Sequence, residues 1–129
     1  MKPRVVLVGH CGADGRMLAA AVRRAMPDAE VVQADDQSSL DAELSSASLL
    51  LVNRVLGDAY SISAGVDLIR EIAAIDVAPK PATMLVSNFD DAQRSAEAAG
   101  ALPGFGKQDL NTSKVTERLR SALSIARHA

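Results

Sequence analysis

Short apolar runs alternate along this chain with longer stretches in which apolar residues recur every three or four positions. The runs Val5–Val8, Glu30–Gln33, Leu49–Val52 and Met84–Val86 are β-branched or Leu-rich, as expected of strands covered on both faces. Met17, Ala21, Val22 and Ala25 predict one face of a helix that Pro27 ends. Leu40 and Leu44 predict a shorter helix, with Asp36, Ser38 or Ser39 as its N-cap. In a third, Val66, Ile69 and Ala73 share a face that Leu68 and Ile72 flank. A fourth, Asp90 to Ala99, stops at Gly100, a residue suited to the left-handed end of a helix. A weak fifth strand is predicted around Pro103–Gly106. Asn111–Ser113 then caps a last helix striped by Val115, Leu119, Ala122 and Ala126.

This alternation predicts an α/β, doubly wound, open parallel sheet of five strands with helices on both faces. With 129 residues and no linker, repeat or low-complexity segment, residues 1–129 read as a single domain. Two Phe, one Tyr and no Trp leave an aliphatic core. The net charge of −2, without a basic stripe or aromatic stacking platforms, argues against nucleic-acid binding. No apolar stretch approaches the roughly 20 residues of a membrane span. The segment before the first strand is too short for a signal peptide, and the single Cys11 excludes an internal disulfide framework. A cytoplasmic protein without membrane contact is expected.

In such sheets, ligands sit beyond the carboxyl ends of the strands, near the switch in strand order. The residues there are Gly9, His10 and Cys11, then Asn53 and Arg54, then Ser87 and Asn88, and finally Lys107. Their order resembles the receiver domains of two-component response regulators. In those domains the first strand ends in an acidic pair, the third in the phospho-accepting Asp, the fourth in Ser or Thr and the fifth in Lys. Ser87 and Lys107 match the last two. Gly65-Val66-Asp67-Leu68-Ile69-Arg70 is similar to the receiver's third-helix signature, and Ala98-Ala99-Gly100-Ala101 to its approach to the fifth strand. The resemblance spans nearly the whole chain. It implies a flavodoxin-like (βα)5 fold with strand order 2-1-3-4-5.

The departures fall on the chemistry. Gly9 and His10 replace the acidic pair, and Asn53 stands at the acceptor position. Gln108 replaces the proline after the lysine, and Gly104 replaces the aromatic switch residue. A receiver holds Mg²⁺ on hard carboxylate oxygens, which an imidazole and an amide do not replace. The amide nitrogen is a poor nucleophile, and phosphoryl transfer without the ion leaves Lys107 alone to neutralise charge. Hence neither Asp-type phosphorylation, nor a metal site, nor any other cofactor is expected at the degenerate pocket of Gly9, His10, Asn53, Ser87 and Lys107.

Other readings of the same residues remain open here. Lys107, Ser87 and a protonated His10 would make the pocket neutral to cationic, suited to sensing a small anion or nucleotide. Alternatively, Lys107 caps the strand ends by hydrogen-bonding Asn53, or Asp58 pairs with Lys107 or Arg54. Cys11 before Arg16 resembles the loop of low-molecular-weight tyrosine phosphatases or of phosphocysteine carriers. Four residues separate the two where that phosphatase loop needs five, so a cysteine enzyme is disfavoured. Gly9, Gly12 and Gly15 read as a flexible turn. Asp14, Asp90 and Asp91 read as caps or first-turn acids, and His128 as a residue without a specific role.

The expectation that emerges is a non-enzymatic, atypical receiver that acts in signal transduction as a phosphorylation-independent protein-interaction module. The resemblance implies a histidine kinase or another regulator as partner. It also implies a homodimer through the face of the fourth helix, fifth strand and fifth helix, where Ala92, Ala96 and Ala99 offer a small, smooth surface.

Overall fold

The computed structural model describes residues 2–76 and 79–128, with side chains through Ser124. Five parallel strands form one sheet: β1 (Arg4–Val8), β2 (Glu30–Ala34), β3 (Leu49–Asn53), β4 (Ala82–Val86) and β5 (Leu102–Phe105). Their order is β2-β1-β3-β4-β5. The helices between them are α1 (Gly12–Ala25), α2 (Gln37–Glu43), α3 (Gly65–Ala74), α4 (Asp90–Ala99) and α5 (Ser113–His128). A 3₁₀ turn at Lys107–Asp109 follows β5. The doubly wound fold is therefore as the alternation predicts, and the strand order is the one the resemblance implies.

Because successive strand residues point to opposite faces, each strand feeds two cores. Val5, Leu7, Leu49, Leu51, Met84 and Val86 meet α1 and α5 on one side. Val6, Val8, Leu50, Val52 and Leu85 meet α2, α3 and α4 on the other. Each fully buried aliphatic side chain contributes about 1.5–3 kcal/mol, so this double layer is the main source of stability. The edge strand β2 differs from expectation: only Ala34 is buried, and Val31 and Val32 are partly exposed.

Several local expectations are corrected. Met17 is 50% exposed, and Leu18 takes its place in the buried stripe of α1. In α3 the buried face is Gly65, Leu68, Ile69 and Ile72, while Ala73 is exposed. Gly12 and Gly15 belong to α1 rather than to a flexible turn. On α4, Ala96 is fully buried, and Ala92 and Ala99 are partly buried against the same core, so the smooth surface expected of the three is mostly spent inside the molecule and Ala92 keeps an open side. Asp36 is the N-cap of α2, its carboxylate accepting from the Ser39 N–H at 2.8 Å. Gly100 ends α4 with φ +118°. The side chains of Ala126 and His128 lie outside the described residues.

Two glycines test this packing in opposite senses. A Cβ on Gly65 would lie 2.1 Å from the backbone oxygen of Asn53, which cannot move without opening the end of β3. On Gly15 it would meet the side-chain end of Gln33 at 2.3 Å, and that exposed side chain is free to swing away. Gly65→Ala is expected to cost roughly 2–3 kcal/mol in urea unfolding. Gly15→Ala is expected to be neutral to stabilising by up to about 1 kcal/mol, since alanine favours the helix.

Candidate functional site

The chain leaves β1, passes to the edge at β2 and returns to β3 on the other side, so the order switches at the carboxyl ends of β1 and β3. Gly9 turns the chain away from β1 with φ +79°, a conformation that favours glycine. A Cβ there would also lie 2.6 Å from the Leu56 side chain. Asn53 closes the other side of the seam. Its Nδ2 donates to the Gly9 carbonyl at 3.0 Å and to the Val55 carbonyl at 3.2 Å, and its Oδ1 accepts from the Arg54 N–H at 3.0 Å. Both ends of the amide are thus consumed in tying β1 to the loop after β3.

His10 is buried beneath this seam, and its Nε2 lies 2.9 Å from the Leu51 carbonyl. A carbonyl only accepts, so this geometry assigns the proton to Nε2 and leaves Nδ1 bare. Nδ1 is buried without a hydrogen-bond partner. Burial lowers the His10 pKa to about 4; the Leu51 bond opposes the shift, and the charge of Lys107 adds to it. The ring is therefore neutral at physiological pH and adds no charge to that of Lys107.

Lys107 does not hydrogen-bond Asn53. Its Nζ reaches Asp14 Oδ2 at 2.7 Å, from the 3₁₀ turn after β5 to the first turn of α1. An ammonium gains more from a carboxylate than from an amide already engaged elsewhere. The pair holds the Asp14 carboxyl below its ordinary pKa. Asp14 is consequently the acid of the site rather than a cap. The N-cap of α1 is the exposed Cys11, whose Sγ accepts from the Asp14 N–H at 3.5 Å. Asp58 is exposed and pairs with neither Lys107 nor Arg54.

Ser87 completes the floor: its N–H donates to the Phe105 carbonyl at 2.9 Å, and its hydroxyl oxygen accepts from the Phe89 N–H at 3.1 Å. A cavity of about 160 Å³ is lined by Asn53, Arg54, Ser87, Asn88, Phe89 and Lys107, together with Val86. Gly9 and His10 do not line it. These donors do not fit the divalent cation that receivers hold. The site offers one carboxylate, already held by an ammonium, beside a neutral amide oxygen that already accepts from the Arg54 N–H. Among the described residues, no three of His, Cys, Asp and Glu gather as metal ligands.

Sequence reasoning missed Gln93. Met84 pairs with Leu102 and Val86 with Phe105, so two residues of β5 stand against Leu85 alone, a β-bulge. One of them, Pro103, has no N–H to give. Gln93 Nε2, from α4, lies 2.9 Å from the Leu85 carbonyl, 3.1 Å from that of Ser87 and 3.3 Å from that of Phe105. A Cβ on Gly104 would be 2.1 Å from the Leu85 oxygen and 2.7 Å from Gln93 Oε1. The Arg118 guanidinium donates to the Gly104 carbonyl. No aromatic side chain fits at Gly104 while Gln93 holds this place. The only advance signal was Pro103-Gly104 within a predicted strand.

No protein-family model matches the chain. No curated protein matches it either. Solved structures do. The signal receiver domain of a DNA-binding response regulator from Colwellia psychrerythraea 34H aligns with a TM-score of 0.75 at 16% identity, over 95% of this chain and 99% of that one. A response regulator from Thermotoga maritima aligns with a TM-score of 0.68 at 21% identity, over 96% and 99%. A CheY-like receiver domain from Methylobacillus flagellatus aligns with a TM-score of 0.73 at 12% identity, over 95% and 99%.

The His10 environment sets a pH dependence. Unfolding returns the ring to its ordinary pKa of 6.5, so the unfolded chain binds a proton that the folded one rejects until pH 4. The stability contributed by the neutral ring is present above pH 6.5 and is lost as pH falls toward 4, on the order of 3 kcal/mol in total. Urea midpoints measured across this window are expected to fall for the native chain and to fall much less for His10→Gln. With the same strand order, the same helices and near-complete coverage of these domains, the chain has the receiver fold of two-component response regulators.

Proposed function

We propose that this receiver-fold domain acts in signal transduction as a phosphorylation-independent protein-interaction module, without enzymatic activity of its own. The observation that carries the reading is the state of Asn53. The residue at the acceptor position has no carboxylate, and its amide is bonded at both ends. The lysine that would meet a phosphoryl group is instead paired with Asp14. The bulge at Leu85 and the Gln93 contacts also fill the place of the aromatic residue through which receivers relay such an event. Output is then constitutive docking on a histidine kinase or another regulator, set by abundance rather than by a chemical mark. No helix among the described residues is long and apolar enough to cross a membrane.

Incubation with acetyl phosphate, or with beryllofluoride and Mg²⁺, is expected to leave the intact mass unchanged and the amide NMR signals of Asn53, Ser87 and Lys107 unmoved. A specific aspartyl adduct, at Asp58 for example, would refute the reading.

Two observations weigh against the alternative of an anion sensor centred on Lys107: the pair with Asp14 and the neutral His10. Millimolar phosphate is expected to leave the Tm of the native chain unchanged. Asp14→Ala frees the ammonium, and there phosphate is expected to raise the Tm by a few degrees, because a ligand of the folded state stabilises it. A rise of equal size in the native chain would restore the sensor.

A further inference from the structure

A groove of about 520 Å³ runs between the N-terminal halves of α3 and α4, beside the loop that follows β3. Its apolar lining is Val55, Ala64, Val66 and Ala92, with Arg54 at one end. Val55 is 55% exposed and Phe89 60%, two of the three large hydrophobic side chains left open to solvent among the described residues. Isolated exposed hydrophobics are ordinary, but these two flank Arg54, whose guanidinium carbon sits 4.9 Å from the centre of the Phe89 ring. The stack holds the cation in place, between the groove and the degenerate pocket, both of which it lines.

The charges around the groove settle the polarity of its occupant. Arg70 is paired with Asp67, and Asp91 with Arg94. Arg54 has no carboxylate partner among the described residues. The groove therefore presents one uncompensated, pre-positioned guanidinium, the group best matched to a carboxylate. Val66 and Arg70 are one helical turn apart on α3, and Asp91 and Ser95 likewise on α4, so the trough follows two helix faces. The small side chains Ala64, Ala92 and Ser95 leave room for a backbone to approach.

We infer that this groove receives an amphipathic, acidic helix of a partner protein, its apolar stripe against Val55, Val66 and Ala92 and a carboxylate on Arg54. This rests on the reading of the domain as a constitutive interaction module and locates its docking surface. The mode is a helix laid in a groove, in which a few apolar anchors supply affinity and the charge supplies register.

The test is an amide NMR titration of the full chain with a pool of roughly 14-residue helical peptides, about four turns each, with Leu on one stripe and Glu beside it. A matched pool carries Gln in place of Glu. The Glu pool is expected to shift Val55, Val66 and Ala92, and the Gln pool to bind more weakly. Arg54→Gln and Val55→Asp should each weaken capture about tenfold, the scale of losing an interfacial anchor. Both positions are exposed, so an unchanged Tm verifies the fold of each variant. Equal binding of both pools, shifts confined to another face, or no binding overturns the groove alone and leaves the proposed function standing. Binding that appears only with beryllofluoride and Mg²⁺ overturns both. Self-association that Val55→Asp abolishes assigns the groove to a second copy and overturns the peptide.

Discussion

The carboxyl edge of the sheet depends on how the ends of β1 and β3 are held together. Receivers converge acidic groups there, which hold a cation. Here the seam is closed by neutral chemistry: the Asn53 amide bridges to Gly9 and Val55, and a neutral His10 donates to Leu51 beneath it. No charge has to be neutralised by an external ion. The one ion pair of the site, Lys107 with Asp14, lies at its rim and links α1 to the turn after β5. Since its two side chains are only partly buried, its value is positional more than energetic.

That closure explains why the neighbouring polar groups are arranged as they are. Gly9 must be glycine, both to turn the chain at φ +79° and to admit Leu56. Leu56 and Tyr60 then carry the loop after β3 into the core shared with α2 and α3. Asn88 Oδ1 accepts from Gln108 N–H, in a space that exists because Gly106 has no Cβ. The groove beside α3 and α4 stays open because this loop is anchored inward through Leu56 and Tyr60, leaving Val55 outside.

The fold was legible because a parallel sheet covered on both sides leaves continuous apolar runs, and because Pro27 and Gly100 mark helix ends by covalent geometry. What escaped was phase and partnership. In α1, Met17 and Leu18 are adjacent, and with the helix start unknown the apolar stripe fits either; Leu18 is the one turned inward. The partner of Lys107 lies 93 residues away in sequence, on a helix whose rotation the pattern did not fix. Asp14 looked like any first-turn acid. Gln93 went unread, because its role arises only from the register of β4 against β5.

The bulge and the seam also constrain which substitutions the site accepts. An aspartate at position 53 would strip the seam of the bonds that the Asn53 amide donates. Any side chain at position 104 would collide with both the Leu85 oxygen and Gln93 Oε1, so the strand register and Gln93 would have to shift together and leave carbonyls bare. Each of these changes is costly unless the others accompany it. The bulge therefore acts as a latch: the carboxyl edge of the sheet admits rearrangement only in concert, whereas the exposed surfaces can change one residue at a time.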